Sequence, residues 1–220
     1  MEKAELIAAA TAEIESPVLG VTRQFLEIHA VAYEAGEPKV AWVDLHEEKK
    51  LGIVYFVVEE EKFYLAISIS TAKPEFQLEP QWVWVQEWNR IAFHAASETL
   101  DSQQLMAFTT LKPTASFNKG DQRKGVGATH RYSSIVFAPN PEPGEFKVML
   151  KKLLSFLEQD VEGIRALVDK AAGYVQIISI FHNGNTSLSG LHLDVECIQR
   201  LAALNLAIDF DLHAKGNFYK

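Results

Sequence analysis

Hydrophobic positions along this chain change period several times, and each change predicts an element. Residues 3–14 are rich in Ala and Glu and read as a short helix, ended by Pro17 and Gly20. Five runs dense in β-branched and aromatic residues follow, over 25–33, 40–45, 51–59, 63–69 and 81–85. They read as strands, and short connections such as EAGEP make neighbours pair antiparallel. Residues 1–88 are therefore expected to form a β-rich half with one N-terminal helix.

The second half, 89–220, alternates strand and helix patterns. A strand is expected over 91–96, then a helix over 100–111 capped by Thr99 and stopped by Pro113. Residues 112–131 show no hydrophobic period, contain Gly120, Gly125 and Gly127, and read as an exposed loop. A strand over 132–138 precedes a long helix. Its apolar positions Phe146, Leu150, Leu153, Leu157, Val161, Ile164, Val168 and Ala171 recur by three and four, with Gly163 marking a break near Asp160. Residues 174–181 are nearly all apolar, as a strand covered on both faces would be. A short strand over 188–193, a helix capped by Asp194 with Asn205 in the left-handed position at its end, and a closing strand over 207–212 complete the pattern. The expected class is α+β with mostly antiparallel sheets. The C-terminal half is a β-α-β-α-β-α-β sandwich, with a variant of the ferredoxin-like fold as one candidate arrangement.

Composition narrows the picture. The 220 residues carry a formal net charge of -8, and the 48% hydrophobic content is that of a soluble globule. The longest apolar runs are too short to span a bilayer, and no signal peptide is read at the N-terminus. A single cysteine, Cys197, excludes an internal disulfide and points to the cytoplasm. It falls at the apolar spacing of the last helix, as a buried thiol would. Against this acidic background, residues 112–131 hold five Lys/Arg and one Asp, leaving 16 basic and 28 acidic residues elsewhere. Lys112, Lys119, Arg123, Lys124 and Arg131 are thus the expected place for an anionic partner to dock. Basic residues are too few outside this segment for general nucleic-acid binding.

The order and spacing of several short motifs carry a resemblance. They are Lys112-Pro113-Thr114, Lys119-Gly120-Asp121, Gly190-Leu191-His192-Leu193-Asp194 and Asp209-Phe210-Asp211, within KPTASFNKGD, SGLHLD and LAIDFDLHA, with SSIVFAP between. Residues 91–213 resemble the bacterial family known as domain of unknown function 4279, and the N-terminal half resembles an extension of its longer members. The resemblance supports the fold and its boundaries and implies no activity.

Further constellations have a bland and a functional side. Lys119-Gly120-Asp121 reads as a turn, with Gly120 at positive φ and Asp121 bonding nearby backbone; the GxxxxGK[ST] pattern is absent. On the closing strand, Asp209, Asp211 and His213 share a face, with His192 and Asp194 as neighbours in one arrangement. Such groups can hold a metal or transfer protons, yet a wet edge strand and a helix cap explain them, so no metal, cofactor or catalytic residue is assigned. Trp82, Trp84 and Trp88 share a face if one strand carries all three, for packing or for anchoring a partner. His182 and Asn185, in a polar loop after the central strand, either line a pocket or sit in a plain turn. The favoured expectation is a non-enzymatic bacterial binding protein whose partner is another protein, analogous to immunity proteins that neutralise a basic toxin. The alternative is a small-ligand sensor or enzyme with a pocket near 112–131, His182 and the closing strand.

Overall fold

The computed structural model describes residues 2–72, 78–123, 125, 127–140, 144–184 and 191–219. The chain is α+β and divides into two compact units. One gathers Met1–Trp88, Ser179–Ser189 and Leu212–Lys220; the other gathers Asn89–Ile178 and Gly190–Asp211. No helix among the described residues is long and apolar enough to cross a membrane.

In the first unit, helix α1 (Lys3–Glu15) buries Leu6, Ala10 and Ile14 at a spacing of four. A second helix, α2 (Gly20–Leu26), replaces the start of the strand expected over 25–33. The buried Glu13 decides this. Its carboxylate accepts the Val18 and Leu19 N–H groups at 3.0 Å each, capping α2 from another helix, while Thr22 and Phe25 turn inward one helical turn apart. The EAGEP segment is a tight hairpin between β1 (Tyr33–Glu34) and β2 (Glu37–Pro38), with Ala35 and Gly36 both at positive φ. Strands β3 (Val40–His46), β4 (Leu51–Val57), β5 (Tyr64–Ser70) and β6 (Pro80–Gln86) follow as an antiparallel meander in that order. Val54, Phe56, Leu65, Ile67 and Ile69 form one core with the buried faces of α1 and α2. The alternate residues Ile53, Tyr55, Tyr64 and Ala66 build a second apolar layer with Trp42, Trp84 and Trp88. Burial on both faces is why β4 and β5 read as unbroken apolar runs.

The second unit begins in β7 (Trp88–Ser97). Trp88 therefore opens a new strand and does not extend β6, which ends at Gln86. Helix α3 (Ser102–Met106) is five residues long, shorter than the expected 100–111. Asp101, not Thr99, caps it, accepting the Gln104 N–H at 2.8 Å. Thr109 and Thr110 leave the helix because their hydroxyls bond the Asp160 carboxylate at 2.8 and 3.0 Å. Strand β8 (Ala115–Phe117) lies inside the expected loop and pairs with β9 (Ser133–Phe137). The long helix breaks as expected into α4 (Phe146–Leu157), a 3-10 turn at Glu158–Asp160, and α5 (Val161–Lys170). Strand β10 (Ala172–His182), helix α6 (Val195–Ala203) and strand β11 (Ala207–Lys215) complete it. Asn205 takes its left-handed place at φ 56. Of the short strand expected over 188–193, residues 188–190 lie outside the described residues and 191–193 carry no strand.

The five-stranded sheet runs β11-β10-β7-β9-β8. Strands β7, β8, β9 and β10, with α3 after the first and α4–α5 before the last, are the βαββαβ arrangement of a ferredoxin-like fold. The first of these strands lies between the fourth and the third, and α6–β11 adds one edge. Helices α3 to α6 all pack on one face, where Phe93, Ala95, Ile135, Phe137, Val175 and Ile177 meet Leu105, Leu150, Leu153, Leu167 and Leu201.

Candidate functional site

The cationic segment is a structured arm. Register places Ala115 opposite Val136 and Phe117 opposite Ser134. The two legs then continue past the named strands. Gly120, at φ 92, donates its N–H to the His130 carbonyl at 2.9 Å. His130 donates to the Asp121 carbonyl at 2.9 Å, and Arg123 to the Ala128 carbonyl at 2.8 Å. The expected turn at Lys119-Gly120-Asp121 is present: the Asp121 carboxylate accepts the Asn118 N–H at 2.6 Å. Ser102 N–H bonds the Asn118 side chain at 2.9 Å, tying the arm to α3. Phe117 stacks on His130 with centroids 3.7 Å apart. Backbone bonds, a turn closed by the Asp121 carboxylate and a ring stack thus hold a segment that has no hydrophobic period to announce it.

Lys112, Lys119, Arg123 and Arg131 are all exposed. Among the described residues none of the four enters a salt bridge. The Lys119 ammonium reaches only the Glu98 carbonyl, at 3.4 Å. Lys124 lies outside the described residues. Beside these cations Tyr132 is 46% exposed. An ordered frame thus presents unpaired charge and aromatic surface together.

The arm adjoins the sheet face that no helix of its unit covers. His94 pairs with Val136 and Ala96 with Ser134, so His94, Ala115 and Phe117 project to that side. His94 stacks on Tyr174 with centroids 5.8 Å apart, and its buried Nε2 has no partner. Burial, helped by the charge of Arg90, pushes the His94 pKa down to about 4, so the ring is neutral near pH 7. Burial also raises the Tyr174 phenol, with the charges of Tyr132 and Asp209 adding to it. This face can stack and donate hydrogen bonds.

The other expected site residues are dispersed. Asp209 and His213 are exposed and Asp211 is half-buried on β11, which is an edge strand. Asp194 caps α6 through the Cys197 N–H at 2.8 Å and pairs with Lys147 at 2.8 Å. Those bonds hold its carboxyl well below the usual range. No three of His192, Asp194, Asp209 and Asp211 bring ligand atoms within 4.8 Å of one another. Cys197 is buried, and burial raises its thiol pKa. Trp82 is 65% exposed, whereas Trp84 is half-buried in the aromatic layer and donates its Nε1–H to Gln86 at 3.1 Å.

His182 does not line an open loop. It is 1% exposed, and its Nε2 lies 3.0 Å from the Nε2 of His29. Its Nδ1 accepts the Gly184 N–H at 3.2 Å, which leaves its proton on Nε2. His29 Nε2 is then the acceptor, its one lone pair shared between this proton and the Asn217 N–H at 3.2 Å. Phe25, Phe63 and Tyr219 ring the pair. His29, 153 residues from its partner, stands in the segment 25–33 that reads as strand, and no local signal marks it. Asn185 lies outside the described residues.

Fold and site together define an α+β domain with a split βαβ core, a cationic arm and an N-terminal β-rich extension. The chain matches the family described as Domain of unknown function (DUF4279) over residues 86–215, more than half its length, and belongs to that family. No curated protein and no solved structure matches it.

Proposed function

We propose that this chain is a non-enzymatic binding protein that docks an acidic surface of another protein through the arm at 112–131. The observation that carries the proposal is the unpaired charge of Lys112, Lys119, Arg123 and Arg131 on an ordered hairpin. Five of the chain's 21 Lys and Arg fall within these twenty residues, while 28 of its 29 Asp and Glu lie outside them. Charge held away from them speeds encounter with an opposite surface, and exposed Tyr132 supplies contact area once docked. The acidic remainder repels phosphates, which favours a protein over a nucleic acid as the partner. The buried single cysteine fits the reducing bacterial cytoplasm as the setting.

The test is affinity capture from host lysate with the full chain and with the charge-reversed variant Lys119→Glu/Arg123→Glu. An acidic protein retained by the first and lost by the second is the expected outcome. With the partner purified, reversal should weaken binding about tenfold to a hundredfold, largely through the association rate. Equal retention by both chains would sink the proposal.

A further inference from the structure

We infer that β11 is a docking edge for a second copy of this chain, paired antiparallel across a two-fold axis at Leu212. Strand β11 ends the five-stranded sheet, so one side of its backbone has no strand neighbour among the described residues. It is nine residues long, and all but Ile208 and Asp211 are exposed. Phe210 is 42% and Leu212 53% exposed. No proline interrupts it. The opposite edge, β8, spans only three residues. A long open edge that carries apolar side chains is a template for another strand.

Backbone direction supports the same edge. The Lys215 carbonyl accepts the Asn183 N–H at 2.7 Å, so its polar groups turn toward the chain leaving β10. Strand alternation then aims the N–H and C=O groups of Phe210, Leu212 and Ala214 outward.

The side chains of β11 select the occupant. With Leu212 opposite itself, Phe210 meets Ala214, Asp211 meets His213 and Asp209 meets Lys215, each twice. The apolar pairs share one face, and the Asp209–Lys215 ion pairs and the Asp211–His213 pairs share the other. Parallel pairing in register would place Asp209 on Asp209 and Lys215 on Lys215. An antiparallel register centred on Asp211 would place that carboxylate on its own copy. Charges that would merely guard a bare edge thus favour this pairing with a second β11, in which opposite charges meet and like charges do not.

Sedimentation velocity of the full chain over a concentration series tests the inference. The unmodified chain should form a dimer. Lys215→Asp sets two carboxylates together at each end of the seam and should raise the dimer dissociation constant by about tenfold or more. Asp209→Lys should act alike, and the double variant Asp209→Lys/Lys215→Asp should restore the dimer. These side chains are exposed, so circular dichroism should show an unchanged fold. Leu212→Cys gives a second readout. Opposed residues of a hydrogen-bonded pair lie about 5.5 Å apart at Cα, within reach of a disulfide, and the native thiol, Cys197, is buried. Mild oxidation should link that variant into a covalent dimer, while Asp209→Cys stays unlinked. A monomer at every concentration, a dimer indifferent to Lys215→Asp, or an edge that takes up only a different protein would each overturn the inference.

Discussion

Single residues hold distant segments together. Asp160 caps α5 through the Gly163 N–H at 3.0 Å and accepts the Thr110 N–H at 2.6 Å and the Thr109 hydroxyl at 2.8 Å. These bonds hold its pKa down to about 2. Gly163 owes its identity to this cluster. A Cβ there would meet the Asp160 carboxylate and lie 2.7 Å from the Phe108 carbonyl oxygen. Replacing an internal helix glycine by alanine ordinarily stabilises by about 1 kcal/mol. Gly163→Ala should instead destabilise by roughly 1–3 kcal/mol, read as a lower urea midpoint with an unchanged slope. The His29–His182 pair has a pH consequence. Burial lowers both pKa values from the ordinary 6.5, against the pull of Glu61 on His29 and with the help of His29 at His182. The unfolded chain therefore takes up protons first as pH falls. Stability is complete above pH 6.5 and is lost as pH drops through the lowered values. Tyr219, also against the pair, has its pKa raised from 10.0 by burial and so does not titrate in this range. Urea midpoints should fall as pH drops below about 6.5, and His29→Leu/His182→Leu should reduce that slope, leaving the part due to buried His94, whose pKa is lowered to about 4.

At the scale of elements, helix and strand patterns were largely legible where one face is buried against a regular neighbour. Strands β3 to β7 and helices α1, α4 and α5 stand close to their predicted places because hydrophobic period dictates them. Helix α2 and strand β8 were not legible. The first exists because Glu13 caps it across a turn, and the second because β9 offers a partner. Packing between elements is tight where α1 meets β4. Gly52 of β4 lies against Leu6 of α1, where an added Cβ would come within 2.5 Å of a methyl group. Leu6 is fully buried. Gly52→Val should therefore cost about 1–3 kcal/mol through overpacking, lowering the thermal midpoint by roughly 2–4 °C for each kcal/mol.

For the molecule as a whole, charge is segregated. The chain carries -8, yet its described arm displays four unpaired cations. An arm of this kind acts at a distance through the field it projects. If the proposed acidic partner docks there, its association rate should fall steeply with added salt, and less so in Lys119→Glu/Arg123→Glu, as stopped-flow mixing over an ionic-strength series would read. Rates insensitive to salt would place recognition elsewhere on the surface, with exposed Trp82 the next site to alter.

The order of residues alone determined the α+β class, most element positions, the family motifs and the location of the positive segment. These depend on local period, turn chemistry and composition, which act between near neighbours in the chain. Tertiary structure decided that this segment is a braced arm, that Trp88 belongs to a different strand from Trp82, and that His182 meets His29 in a core. Those outcomes rest on hydrogen bonds and packing between residues far apart in sequence, and such pairings leave no periodic trace in either partner.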